Sequence, residues 1–332
     1  MKLHKLKILS VTLLLTSVLV LLCGSMQDYY HSPLPNKAAH TRTANADRMA
    51  RHIFHTSATP DKTYYQNQVV VLMYHDVSPD PVDDKSISVA SFRAQLEAMK
   101  ANHFQWISME QYVNFVLHGA PVPDNAVLLT FDDGYESFYT SAYPVLQEYG
   151  APATNFVITA TIDNPKHVGV AKLSWEQIRE MHAKGIDFYS HTNDSHGYGY
   201  VNEEHTKQKP LLMAPIHLKA LGRMETQAEF EARVLKDLRT ANSLLDSQLN
   251  NSLHVLAFPY GGHNADTLRL AKSLGIDVTF TVKRGINAPG QANGYRVNAG
   301  GMYTKAEVLI QYMKQGAPMR PLPFSRGYNT AS

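Results

Sequence analysis

The sequence contains a single cysteine, Cys23, among its 332 residues. One cysteine cannot form an intramolecular disulfide, and it excludes every metal site that is built on several thiolates. The sequence also lacks an excess of charge of either sign, since 31 Lys and Arg and 29 Asp and Glu give a net charge of +2. Such a balance provides no basic field, so we expect no nucleic acid partner. Any metal must therefore be held by histidine, aspartate or glutamate.

Long apolar runs are rare, and the longest lies at the amino terminus. Lys2, Lys5 and Lys7 precede a mostly apolar stretch over residues 8–22. A basic flank before a short apolar core is typical of an export segment, and the stretch is shorter than the roughly 20 residues that span a bilayer comfortably. We expect residues 1–25 to act as a signal peptide or membrane anchor. The body is then extracellular or at the cell surface, and any membrane contact is confined to this segment.

The rest of the chain divides into three parts by composition. Residues 26–66 contain proline, threonine, asparagine and arginine with little periodicity, which indicates a flexible tether. Residues 67–317 alternate short apolar runs with amphipathic stretches of helical length, which indicates one folded domain. Residues 318–332 form a polar tail. Nothing in this organisation predicts an oligomeric state.

Short apolar runs within the domain have the length and β-branched content of buried strands. They cover 69–74, 126–131, 153–158, 186–190, 253–258 and 278–282, and predicted helices cover 91–102, 108–118, 137–149, 174–184, 225–248 and 265–274. Alternation of helices with strands that are apolar throughout predicts a parallel α/β sheet. About seven such units favour a barrel. An open doubly wound sheet stays the alternative, although no glycine-rich phosphate loop follows any strand.

Side chains that can bind metal or transfer protons follow four of these strands. They are His75 after the first, Asp132 and Asp133 after the second, His191 and His196 after the fourth, and His263 after the fifth. In a parallel barrel the carboxyl ends of the strands share one rim, where active sites are built. We therefore expect these groups to converge.

The residue types in two of these clusters point to metal chemistry. Asp132 and Asp133 are adjacent carboxylates, which repel each other unless a cation lies near. A loop between His191 and His196 could aim both rings at one ion, which a helix could not do. Two imidazoles and one carboxylate with an open position form a typical catalytic zinc site, and iron, cobalt or nickel also fit. An acidic turn and surface histidines are the alternative explanation.

Taken together, these motifs resemble the polysaccharide deacetylase family of carbohydrate esterases. The segment TFDDG at 130–134 is similar to the first family motif, and SHT at 190–192 with His196 is similar to the second. Residues 150–158 and 173–178 are also similar, and the resemblance covers about 69–304. It implies a distorted (β/α) barrel with fewer than eight units. It further implies a divalent metal, zinc first, with Asp133, His191 and His196 as ligands and Asp132 as catalytic base.

Further features resemble the subgroup that de-N-acetylates poly-β-1,6-N-acetylglucosamine, a biofilm exopolysaccharide. They are the longer spacing between His191 and His196, the sequence VLMYHDV at 71–77, and an insertion over 198–224. This resemblance implies an N-acetylglucosamine polysaccharide as partner. Peptidoglycan or chitin oligomers are alternative substrates. A carbohydrate-binding protein without turnover and a phosphoesterase are alternatives of other classes. The four strand-end clusters lack Lys and Arg, which a phosphoesterase would need to bind a phosphate group.

Two departures from the family pattern concern the base and the acid. Ala257 occupies the position of an arginine that orients the base, and the late strand at 295–298 lacks the histidine acid. We expect His75 or His263 to give a proton to the departing amine after Asp132 has taken one from the attacking water. A further set of residues is expected to offer aromatic faces to sugar rings, namely Tyr135, Phe258 and Tyr260.

Overall fold

A computed structural model of the protein describes residues 62–81 and 83–317. The predicted export segment, most of the predicted tether and the polar tail lie outside the described residues. None of the helices in the described part combines the length and hydropathy needed to traverse a bilayer. The end of the predicted tether packs on the domain, because Tyr65 is buried and the backbone N–H groups of Tyr64 and Tyr65 donate to the Asn125 side chain.

Strands at the centre of the domain form a parallel sheet that curls into a half-barrel, which confirms the predicted distorted (β/α) barrel. In chain order the described strands are β1 (Val69–Tyr74), β2 (Asp76–Ser78), β3 (Ser86–Ser88), β4 (Gln105–Trp106), β5 (Ala126–Asp132), β6 (Thr154–Val157), β7 (Asp187–Ser190), β8 (Tyr198–Tyr200), β9 (Gln208–Pro210), β10 (His217–Leu218), β11 (Arg223–Met224), β12 (His254–Ala257), β13 (Ile276–Phe280), β14 (Asn293–Gly294) and β15 (Val297–Asn298). The main sheet has the order β14-β13-β12-β7-β6-β5-β1-β15, and β4 pairs with the start of β5.

Helices pack against both faces of this sheet. They are α1 (Val89–Ala101), α2 (Met109–His118), α3 (Tyr143–Tyr149), α4 (Trp175–Ala183), α5 (Gln227–Leu249), α6 (Ala265–Ser273) and α7 (Ala306–Lys314). Of these, α2 packs on the same face as Val69 and Val71. The predicted helix over 137–149 begins as a π-helix, Phe138–Ala142, before α3. Ser108 and Ser174 cap α2 and α4 through capping boxes, as their positions before the apolar periodicity predict.

Both faces of the sheet are buried, which explains why its strands are apolar throughout. Val69 and Val71 pack inside the half-barrel, whereas Val70 and Leu72 pack under the outer helices. Successive residues of a strand point to opposite faces, so a strand that is covered on both sides needs apolar residues at each position.

One short segment, residues 293–298, supplies a strand to each edge of the sheet. β14 pairs with β13, while β15 pairs with β1, both in parallel. The two edges therefore approach each other, and this curls the sheet. The predicted insertion over 198–224 forms two antiparallel hairpins, β8–β9 and β10–β11, beside the sheet.

Candidate active site

The side chains that follow β5 and β7 meet at the carboxyl edge of the sheet. Asp133 Oδ1 lies 3.3 Å from His191 Nε2 and 3.0 Å from His196 Nε2. One possible ligand atom from each of these three residues lies within 4.8 Å of the other two. The structure thus brings together the carboxylate and the two imidazoles that the strand-end pattern singled out.

The chemistry of these three groups fits a metal cation. His191 Nδ1 lies 2.8 Å from the Ala257 carbonyl oxygen, which can only accept, so this nitrogen carries the proton and Nε2 presents a lone pair. That lone pair faces Asp133 Oδ1, a buried oxygen without a hydrogen-bond partner among the described residues. Burial raises the pKa of Asp133, but hydrogen bonds and positive charge from the surrounding histidines, when their rings carry a second proton, outweigh burial and hold that pKa well below its ordinary value, so the carboxyl stays ionised. A cation between these atoms would replace their repulsion by attraction.

The turns that orient these candidate ligands adopt a backbone conformation that few residues tolerate. Asp133 has φ 75° and Thr192 has φ 77°, both in the left-handed region. A non-glycine residue there costs on the order of 1–3 kcal/mol and persists where the surroundings enforce it. Gly134 follows with φ 63°, where a Cβ would lie 3.1 Å from Val157. Sequence patterns do not reveal such strained positions.

Asp237 on α5 holds the loop that carries the two histidines. Its carboxylate accepts hydrogen bonds from the backbone N–H groups of Asn193, at 2.9 Å, and Asp194, at 2.8 Å. Burial raises the pKa of Asp237, and the two N–H groups oppose this rise. Asp237 therefore fixes the path of the chain between His191 and His196, a role that the sequence did not indicate.

Asp132 pairs with Arg296, which sequence reasoning missed. Arg296 Nη1 and Nη2 each lie 2.7 Å from one carboxylate oxygen of Asp132, and Nε donates to the Thr281 carbonyl. Burial raises the pKa of Asp132, but the Arg296 guanidinium outweighs burial and holds that pKa below its ordinary value. Arg296 thus fixes the Asp132 carboxylate, although Ala257 stands where the resemblance implies an arginine. An arginine between Tyr295 and Val297, in an otherwise uncharged segment, was the available signal.

The two candidate acids have different surroundings. His75 is buried after β1, interacts electrostatically with Asp132 and Asp133, and its Nδ1 has no hydrogen-bond partner among the described residues. Burial lowers the pKa of His75, and the two carboxylates oppose that effect. In contrast, His263 is held through both ring nitrogens, by the Gly261 carbonyl and the Asn293 side chain.

The three aromatic residues expected to contact sugar differ in exposure. Phe258 is fully buried and stacks on His263 at 5.0 Å, so its face is closed to a sugar ring. Tyr260 is half-buried beside the candidate metal ligands, and its hydroxyl lies 3.2 Å from His196 Nδ1. Tyr135 is also half-buried, and the Lys172 ammonium lies 3.7 Å from the centre of its ring. Lys172 thus brings a positive charge to a rim where the four sequence clusters have no Lys or Arg.

Comparison with known proteins places these features in a family. Residues 119–279 match the sequence model of the family described as polysaccharide deacetylase. A poly-beta-1,6-N-acetyl-D-glucosamine N-deacetylase from Escherichia coli (strain K12) is 30% identical over 243 residues, which are 69% of this chain and 36% of that protein. The chain thus spans about a third of the length of that relative.

Two further proteins match over most of their own length. A poly-beta-1,6-N-acetyl-D-glucosamine N-deacetylase from Staphylococcus aureus (strain MRSA252) is 25% identical over 74% of this chain and 83% of its own. The solved BpsB deacetylase domain from Bordetella bronchiseptica superposes with a TM-score of 0.62 at 28% identity, covering 72% of this chain and 97% of that domain. The likeness therefore covers more than two thirds of this chain.

Proposed function

Since the chain belongs to the polysaccharide deacetylase family, we propose that it is a metal-dependent hydrolase that removes N-acetyl groups from poly-β-1,6-N-acetylglucosamine. The convergence of Asp133, His191 and His196 beside the Asp132–Arg296 pair carries this proposal. The names of the relatives from Escherichia coli and Staphylococcus aureus support the choice of polymer.

Asp133, His191 and His196 would hold one divalent cation, zinc first, with cobalt, nickel or iron as alternatives. When bound, such a cation supplies Lewis acidity and makes water a good nucleophile at neutral pH. The protein contributes the orientation of the ligands: the Ala257 carbonyl fixes the His191 ring, and Asp237 fixes the loop that leads to His196.

Asp132 is positioned to accept the proton of the attacking water. Its carboxylate is ionised and cannot rotate, because two hydrogen bonds from Arg296 hold both oxygens. Each oxygen keeps a second lone pair for the water proton. A fixed base of this kind contributes on the order of 10²–10⁴-fold to the rate.

His75 is positioned to protonate the departing amine. It lies in the electrostatic field of Asp132 and Asp133, and its Nδ1 is not engaged by another described residue. His263, by contrast, uses both nitrogens in hydrogen bonds, so we assign His263 to the support of the Tyr260 turn. The products are acetate and a glucosamine unit whose free amine makes the polymer cationic.

We also propose that the domain acts outside the cytoplasm, on the basis of the export pattern in residues 1–25. Cell fractionation of the full chain tests this: we expect the protein in the extracellular or membrane fraction. Recovery only in the cytoplasm would contradict it.

Acetate release from a panel of polymers tests the proposed activity. We expect the full chain loaded with zinc, cobalt, nickel or iron to deacetylate poly-β-1,6-N-acetylglucosamine faster than chitin oligomers or peptidoglycan. The Asp132→Asn variant should retain its metal and about 1% of the rate or less. His75→Ala should lose most of the rate while His263→Ala retains more. Acetate release from none of these polymers with any of these metals would refute the activity.

A further inference from the structure

Two exposed tyrosines on the β8–β9 hairpin continue the aromatic surface of the active site. Tyr198 and Tyr200 keep 51% and 39% of their surface exposed. The Tyr198 ring lies 4.5 Å from the Tyr260 ring, which in turn lies 4.7 Å from the ring of the metal ligand candidate His196. A line of ring faces therefore leads from the reaction centre onto the hairpin.

Both tyrosines project from the same face of the hairpin. Residues two apart on a strand share a face, and Gly199 between them turns toward the opposite side. A Cβ on Gly199 would lie 2.5 Å from Ile216 Cγ2 and 3.0 Å from Leu211 Cδ2. Glycine is thus required for the close contact beneath the strand, and the two rings are left on the side open to solvent.

The hairpin is firmly attached to the domain. Arg233 of α5 donates to the Leu211 carbonyl at 2.9 Å and forms an ion pair with the buried Glu225 at 2.7 Å. Thr267 of α6 donates to the Leu212 carbonyl at 2.6 Å. Pro210 packs against Gly262, directly after the Tyr260 turn. The tyrosines are therefore presented on a rigid support, which lowers the entropy lost on binding.

The part of the hairpin farthest from the candidate metal ligands combines aromatic rings with polar ring nitrogens. Tyr200 stacks on His205 at 4.6 Å, and His205 Nε2 lies 2.7 Å from His217 Nδ1. Ring faces suit the flat C–H faces of a pyranose, and the imidazole nitrogens suit its hydroxyls. An aromatic face also attracts the ammonium group of a glucosamine unit that has already been deacetylated.

From these contacts we infer that Tyr198 and Tyr200 form a binding subsite for pyranose units of the polymer that flank the unit being deacetylated. This inference rests on the proposed function, since it requires a polymer to run from the metal centre over the hairpin. It predicts that the chain discriminates by length: an oligosaccharide that reaches the hairpin gains contacts that a short one lacks.

Kinetics on two substrate lengths test the subsite. We compare acetate release from a β-1,6-linked N-acetylglucosamine pentamer and from the dimer, using the metal-loaded full chain. In the Tyr198→Ala/Tyr200→Ala variant, the ratio of kcat/KM for the pentamer to that for the dimer should fall about tenfold. The Tyr198→Phe/Tyr200→Phe variant retains the ring faces and should preserve the ratio.

Tyr149→Ala is a matched control, because Tyr149 ends α3 at the opposite end of the sheet and pairs with Glu97. It should leave the ratio unchanged. Equal ratios for the alanine variant and the wild type, or an equal loss with the phenylalanine variant, would overturn the subsite.

A binding measurement separates failure of the subsite from failure of the proposed activity. Calorimetric titration of the pentamer into Asp132→Asn, with and without the two alanine substitutions, needs no turnover. Weaker binding with the alanines supports the subsite even if the wild type releases no acetate. Identical affinities would refute the subsite even if the wild type is active.

Discussion

Replacement of Arg296 by methionine probes the ion pair that holds Asp132, the proposed catalytic base. Arg296 is fully buried, and its guanidinium makes two hydrogen bonds of 2.7 Å to Asp132. Arg296→Met leaves the buried Asp132 carboxylate without its compensating charge. Removing one partner of a buried ion pair typically costs about 3–5 kcal/mol, so we expect the free energy of unfolding at pH 7 to fall by about that amount.

The loss should depend on pH with a definite sign. In the wild type the pKa of Asp132 lies below its ordinary value of 3.8, so the pair stabilises the fold above that value and the contribution is lost as the pH falls through the folded pKa. Without Arg296, burial dominates and raises the pKa of Asp132 above its unfolded value. As the pH falls through this raised pKa, protonation of Asp132 removes the uncompensated charge from the variant. The difference in unfolding free energy should therefore begin to shrink there and continue to shrink down to the lower folded pKa of the wild type.

Urea denaturation of the metal-free protein, followed by tryptophan fluorescence, measures this difference. The Asp132→Asn/Arg296→Met double variant is the control, because it removes both charges and should be more stable than the sum of the single losses predicts. An Arg296→Met variant within about 1 kcal/mol of the wild type at pH 7 would refute the reasoning. A loss that is independent of pH would refute it as well.

The remaining predictions concern the histidine loop and the start of α5. Asp237→Asn places an amide where two backbone N–H groups need acceptors, so calorimetry should show roughly 10-fold weaker metal binding. Unchanged affinity would contradict the inference that Asp237 supports the histidine loop. Arg223 forms a two-point ion pair with Glu229, and this pair together with hydrogen bonds from Thr226 lowers the pKa of Glu229 to about 2. NMR titration should therefore find this low pKa for Glu229, and Arg223→Met should raise the pKa toward 4.5. An unchanged Glu229 pKa in the variant would exclude the ion pair as the cause of the low value.

Much of the sheet follows directly from local sequence. β1 begins and ends where the apolar run at 69–74 predicts. A strand that is buried on both faces is apolar at every position, so the first polar residue on each side marks its end. The capping serines before α2 and α4 mark helix starts through a local hydrogen bond. By contrast, β14 and β15 have two residues each, and they are strands only because β13 and β1 lie beside them.

The candidate site likewise combines features that local sequence predicts with features that depend on tertiary contacts. Asp133, His191 and His196 could be predicted to converge, because the carboxyl ends of parallel strands meet at one edge. The Asp132–Arg296 pair joins residues 164 positions apart, and no local pattern reports such a contact. The support from Asp237 and the hairpin beneath Tyr198 are likewise tertiary contacts. Burial of Phe258 follows from packing that the turn sequence alone does not show.

Anomalous diffraction at the absorption edge of the bound metal tests the central claim most directly. Crystals of the full chain grown with zinc should show one ion per chain, in contact with Asp133 Oδ1 and the Nε2 atoms of His191 and His196. Bond lengths should be about 2.0–2.2 Å. An ion bound elsewhere, or no ion at saturating zinc, would contradict the claim that these three side chains form a metal site.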